Sequence, residues 1–166
     1  VTHTPGLVRL RDNYLMMAKM HQRSQFLSIA RMATARSYPG ASQNELDRLI
    51  ARTHFMTKKG QTRALFDPAL LKRLQYVQFD DVFEARWPFF KLLDNKPLML
   101  IRTQLSDQLQ RATFDHMAQL RLDAIQFVIA GQGSPALLSG EDEVGAIVDF
   151  VANASKQAKL KAVVSG

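Results

Sequence analysis

The stretch AIQFVIAGQGSPALLSGEDE, residues 124–143, reads as an apolar strand that runs into a glycine-rich bend and then into an acidic helix start. From Ala124 to Ala130 every position except Gln126 is apolar, the pattern of a strand buried on both faces. Gly131-Gln132-Gly133-Ser134-Pro135 breaks that run, and Glu141, Asp142 and Glu143 suit the positive end of a helix dipole. The same order stands just upstream. KPLMLIRTQ (96–104) is an apolar run of strand length entered by a proline, and SDQLQRATFDHMAQLRL (106–122) carries helical patterning. Strand, helix, strand, helix with doubly apolar strands predicts an α/β unit over residues 96–155 with a parallel pair at its centre. Two such strands cannot cover their own faces or edges. The missing neighbours are expected from another copy, a partner or upstream sequence.

Residues 1–95 have a different texture. LVRLRDNYLMMAKM (7–20) and SQFLSIARMATARSY (24–38) place apolar residues at helical spacing. Ser42 followed by Glu45 is a capping box that opens a helix expected over Ser42 to Met56. KKGQT (58–62) is a loop, and Asp67 with Pro68 starts a short helix through about Tyr76. Another turn or two is expected within DDVFEARWPFFKLL (80–93), before Trp87-Pro88, with Asp80, Asp81 and Glu84 as helix-start residues. No part of this region alternates like a strand. The last segment, SKQAKLKAVVSG, reads as a basic, frayed tail over about 156–166.

Composition removes several chemistries. The 166 residues contain no cysteine, which excludes disulfides, thiolate metal sites and a cysteine nucleophile. No apolar run approaches the roughly 18 residues of a membrane span, and no signal segment opens the chain, so a soluble, cytoplasmic protein is the expectation. The net charge of +7 is uneven: residues 1–75 hold 13 Lys/Arg against 4 Asp/Glu, and residues 76–166 hold 9 against 11. The basic half is either a nucleic-acid footprint or the solvated face of several helices. His3, His21, His54 and His116 show no ligand spacing, so no metal or other cofactor is expected. Gly131-x-Gly133 lacks the third glycine of a phosphate-binding turn and reads as a tight strand-to-helix bend. Met16, Met17, Met20, Met32, Met56, Phe26, Phe55 and Phe66 are either core or the lining of an adaptable apolar pocket.

WPFFKLLDNKPLMLIRTQLSDQLQRATFDHMAQL together with AIQFVIAGQGSPALLSGEDEVGAIVDFV resembles the carboxy-terminal part of an α/β-hydrolase, and residues 1–95 are similar to the helical lid inserted before it. In that family the catalytic acid follows one of these strands and the catalytic histidine follows the next. The resemblance puts Asp107 at the acid position, where a carboxylate would orient and stabilise an imidazole. Thr103 stands where the family commonly has glycine. The family's Gly-His is absent: Gln132 or Ser134 occupies the histidine position, and neither is a base near neutral pH. The Gly-x-Ser-x-Gly elbow is absent too, since Ser134 follows the wrong strand and has no glycine two residues later.

The resemblance implies an ester or acyl hydrolase that is truncated and inactive as an isolated chain. It would act on a small-molecule substrate only with a complementary half. A second reading is a non-catalytic module that self-associates or binds a partner through its open sheet edge. A third is a basic helical binder of nucleic acid.

Overall fold

The computed structural model describes residues 4–18, 23–65 and 67–164. Three helices come first: α1 (Thr4–Ala18), α2 (Arg23–Ser37) and α3 (Gln43–Ala51). The start of α3 is the capping box read from the sequence. Ser42 Oγ accepts from the Glu45 amide at 3.4 Å, and Glu45 Oε2 accepts from the Ser42 amide at 2.8 Å. Leu46, Leu49 and Ile50 make its buried face. Arg31 of α2 grips Asp47 of α3 with two bonds of 2.7 Å, a bidentate pairing that fixes how the helices meet.

Two expectations for this half are corrected. The third helix does not reach Met56: it ends at Ala51, and β1 (His54–Met56) then pairs antiparallel with β2 (Thr62–Ala64). The turn between them uses Gly60 at φ +74°, and three-residue strands are too short to show alternation. The second correction concerns residues 80–93. After α4 (Pro68–Leu74), capped by Asp67 accepting from the Ala69 amide at 2.8 Å, residues 81–86 are irregular. The Asp81 carboxylate accepts from the Gln78 amide at 2.9 Å and closes a turn instead of starting a helix. The helix α5 (Trp87–Lys91) begins at Trp87-Pro88, where proline's missing N–H does no harm.

The second half follows the expected order: β3 (Met99–Thr103), α6 (Arg111–Leu120), β4 (Ile125–Ile129) and α7 (Glu141–Val164). The strands pair in parallel, Met99 opposite Ile125 through Thr103 opposite Ile129. Leu100, Phe114, Ala118 and Ala124 form the core between this sheet and α6. Residues 156–164 continue α7, whose helical backbone extends to Val164. As expected for a two-stranded parallel sheet, apolar surface is left uncovered: Ile125 and Val128 of β4 and Val144, Val148 and Val151 of α7 are exposed. No described helix is long and apolar enough to cross a membrane.

The helical half has its own core. Phe26, Ala30 and Ile50 cluster at one end, and the buried His54 ring lies 5.1 Å from the ring of Phe26. Burial pushes the His54 pKa below its ordinary 6.5, since the apolar surroundings disfavour the imidazolium. The unfolded chain therefore binds a proton more readily than the folded one. The stability linked to neutral His54 is complete above pH 6.5 and is lost as the pH falls through the lowered folded value. Thermal unfolding followed by circular dichroism should show a midpoint that drops as the pH is taken below 6.5, with a smaller drop in His54→Gln. An unchanged slope in the variant would assign the effect elsewhere.

Candidate functional site

Parallel strands place their following loops at the same end, and here the two loops are stitched together. Past the strand ends, the Gln104 amide donates to the Ile129 carbonyl at 2.8 Å and the Leu105 amide to the Gln132 carbonyl at 2.9 Å. The Gln104 side-chain oxygen also accepts from the Gly131 amide at 2.8 Å. The loop after β3 is shaped from within by Arg102, a buried residue whose guanidinium donates to the carbonyls of Leu109 (2.8 Å), Gln104 (3.0 Å) and Ser106 (3.3 Å). Ser106 Oγ then accepts from the amides of Gln108 (3.2 Å) and Leu109 (3.1 Å).

The tip of that loop is Asp107. Its Oδ2 accepts from Arg9 Nε of α1 at 3.1 Å, and its Oδ1 accepts from Gln108 Nε2 at 3.0 Å. Gln108 also donates to the Gly6 carbonyl at 3.0 Å, so α1 is seated on the loop by two adjacent residues.

The bend after β4 explains its glycines. Gly131 sits at φ +66°, a conformation that costs L-residues energy. A Cβ on Gly133 would stand 2.8 Å from Ser37, so only glycine lets the bend reach the end of α2. Beyond it, the Tyr38 hydroxyl donates to the Pro135 carbonyl, and Leu137 enters a core with Tyr38, Leu46 and Leu49. Arg52 donates to the Leu137 carbonyl at 3.0 Å. The bend is thus built into the helical half.

Its two polar side chains point in different directions. Ser134 Oγ lies 2.7 Å from Ser106 Oγ and 3.2 Å from Thr103 Oγ1. Because Ser106 already accepts two amides, its proton goes to Ser134, giving a chain of three hydroxyls between the loops. Gln132 turns the other way. Its Nε2 donates to Glu143 Oε1 at 2.7 Å, and its Oε1 accepts from the Leu137 amide at 2.8 Å. Glu143 is buried, and its Oε2 has no partner among the described residues. A cleft of about 110 Å³ opens beside Ser134 and Pro135, walled by Leu10, Asn13, Thr34 and Tyr38. That is smaller than the roughly 300–1,000 Å³ that holds a drug-sized ligand.

Solved structures match this arrangement over most of its length. An alpha/beta hydrolase from Novosphingobium aromaticivorans superposes with a TM-score of 0.70 at 19% identity, over 91% of this chain and 53% of its own. The chain has the fold of the carboxy-terminal half of an α/β-hydrolase. E-2-(Acetamidomethylene)succinate hydrolase matches with a TM-score of 0.64 at 17% identity over 91% of this chain and 53% of its own. A structure from Rickettsia typhi matches at 0.65 and 16% identity, over 92% of this chain and 50% of its own. The chain spans about half the length of the α/β-hydrolase structures it matches. No family model and no curated protein matches it.

In this α/β-hydrolase fold, the sequence-named residues Asp107, Gln132 and Ser134 all lie at the shared end of β3 and β4, with Thr103 beside Ser134. Asp107 faces Arg9 of α1, and Ser134 faces the loop that carries Asp107. The sequence pointed to none of Arg9, Tyr38, Arg102 or Ser106, and it offered Glu143 only as a helix-start charge. Of those four only Arg102 left a trace, as a charge inside an otherwise apolar strand. His116 is exposed and sits edge-on to Trp87 at 4.6 Å, while His3 and His21 lie outside the described residues. Among the described residues no three His, Asp or Glu side chains gather as a metal site would require. Phe26 is core, whereas Met16, Met32 and Phe55 are exposed; the side chains of Met17, Met20 and Phe66 lie outside the described residues.

Gln132 is the residue on which the bend's conformation rests most heavily. Gln132→Ala would leave the Leu137 amide and both Glu143 oxygens unpaired in a buried setting. Urea unfolding should show a loss of about 1–3 kcal/mol. A change within experimental error would mean that water or a rearranged loop replaces the amide.

Proposed function

We propose that the chain supplies the lid side and the acid loop of an α/β-hydrolase-type site for an ester or other acyl bond in a small molecule, and that it does not turn over such a bond by itself. The observation that carries the reading is the junction of the two loops at the end of β3 and β4, roofed by α1 and α2, in a chain with this fold. Helical segments over a strand-end cleft are where a substrate is held away from water.

The residues present explain the predicted inactivity. A carboxylate acts in such a site by holding an imidazole in one tautomer and stabilising its cation. Asp107 is paired with a guanidinium, which needs neither service, at 3.1 Å. Ser134 takes the histidine's place in this reading, because its hydroxyl faces the acid loop while Gln132 is turned to Glu143 of α7. Among the described residues the hydrogen-bond partners of the Ser134 hydroxyl are two other hydroxyls, neither of which can remove its proton.

The alternative of a non-catalytic self-associating module draws on the uncovered apolar residues of β4 and α7. The nucleic-acid reading has less support, since Arg9, Arg11 and Arg31 of the basic half are engaged with carboxylates of the fold. Incubation of the purified chain with p-nitrophenyl acetate and butyrate should give no turnover above buffer, and Asp107→Asn should leave that baseline unchanged. Saturable hydrolysis that disappears in Asp107→Asn would overturn the proposal.

A further inference from the structure

The helical walls of the cleft beside Ser134 are held in two different ways. The wall made by α2 and α3 is built into the bend after β4. Gly133 packs on Ser37, the Tyr38 hydroxyl donates to the Pro135 carbonyl, and Arg52 donates to the Leu137 carbonyl at 3.0 Å. The bidentate pair of Arg31 and Asp47 locks these two helices to each other. The opposite wall, Leu10 and Asn13, belongs to α1, which meets the site at the acid loop. There Arg9 Nε donates to Asp107 Oδ2 at 3.1 Å and Gln108 Nε2 to the Gly6 carbonyl at 3.0 Å. The backbones approach so closely that a Cβ on Gly6 would collide with the Asp107 carbonyl.

On its other side α1 is fastened more firmly. Arg11 donates to the carbonyls of Val77 at 2.7 Å and Leu74 at 3.3 Å, and Thr4 Oγ1 donates to the Asp81 carbonyl at 2.8 Å. The Arg11 side chain is 14% exposed, whereas that of Arg9 is 50% exposed. A guanidinium shielded from water holds its carbonyls strongly, but an exposed ion pair contributes little and is screened by salt. The weak side of α1 therefore faces the acid loop.

We propose that α1 is a gate on this cleft. Together with the segment 74–81 it moves off the acid loop as a unit, breaking the Arg9–Asp107 pair and the seat at Gly6, and it carries Leu10 and Asn13 away from Thr34 and Tyr38. The closed form predominates because Val8 of α1 is buried and opening exposes it. Gly6 sets how closely the gate shuts. Arg9 adds an electrostatic bias toward closure that ionic strength adjusts. Each contact involved is made within the chain. The gate governs access to the cleft and does not rest on the hydrolase reading, so its test reads backbone exchange and labelling instead of turnover.

Hydrogen exchange followed by mass spectrometry measures the opening, because the exchange rate of α1 amides scales with the open population. Arg9→Gln should speed exchange of α1 about two- to fivefold, the range that loss of one exposed ion pair allows, and leave β4 and α6 unchanged. Arg111→Gln, which breaks the equally exposed pair with Asp115 on α6, should leave α1 unchanged. Sodium chloride at about 1 M, where charges are screened within about 3 Å, should speed α1 exchange in the unaltered chain and have less effect in Arg9→Gln. Gly6→Ala should open the gate further than Arg9→Gln; if it fails to fold, Arg9→Gln, at an exposed side chain, decides. Because the chain contains no cysteine, Thr34→Cys reports on the cleft without background. Its labelling by a thiol reagent should accelerate in the Arg9→Gln background by the same factor as α1 exchange. Unchanged α1 exchange in Arg9→Gln, or faster exchange with unchanged labelling of the Thr34→Cys thiol, would overturn the proposal.

Discussion

Two backbone hydrogen bonds carry the β3–β4 ladder past the ends of its strands, from the Gln104 amide to the Ile129 carbonyl and from the Leu105 amide to the Gln132 carbonyl. Everything at the candidate site depends on them. They hold the loop bearing Asp107 against the bend bearing Ser134, which two independent loops would do only at a large entropic cost. Arg102 then fills the interior of the first loop, and Gln132 clamps the second to the start of α7. Both are buried or half-buried polar side chains whose hydrogen-bonding capacity is spent on backbone groups and, for Gln132, on the Glu143 carboxylate.

The helical half is fastened to this junction and not merely linked to it in sequence. Gly133 admits Ser37, Tyr38 reaches the Pro135 carbonyl, Leu137 enters the helical core, and Arg9 meets Asp107. In the proposed reading, the loop with an arginine on its Asp107 carboxylate and the bend with hydroxyls around Ser134 would keep the outline of a hydrolase-type site without its proton chemistry. The contacts that remain are those that orient loops and hold helices over a cleft.

The α/β half was legible because doubly apolar strands and an amphipathic helix leave strong, long signals. KPLMLIRTQ and AIQFVIAG became the parallel pair, and their poverty of neighbours foretold the exposed Ile125 and Val128. The capping box at Ser42 and the cap at Asp67 were readable because each is a local hydrogen bond between residues a few positions apart. The short hairpin at His54–Met56 and Thr62–Ala64 was not, since three residues cannot display a period of two against a helical background. Asp81 misled for a related reason: a carboxylate that caps a turn and one that caps a helix look alike in sequence. The partners at the site were out of reach altogether. Arg9 and Asp107, or Tyr38 and Pro135, are joined only by the tertiary fold, and one sequence carries no record of such pairings.

The central claim is that the strand-end junction keeps the shape of a hydrolase site without an activated nucleophile. Exposure of the folded chain to a fluorophosphonate, followed by intact-mass measurement, tests it most directly, because such reagents label only hydroxyls made nucleophilic by their surroundings. The account predicts an unmodified mass. A stoichiometric adduct mapping to Ser134 would show that this hydroxyl is activated, and would contradict it.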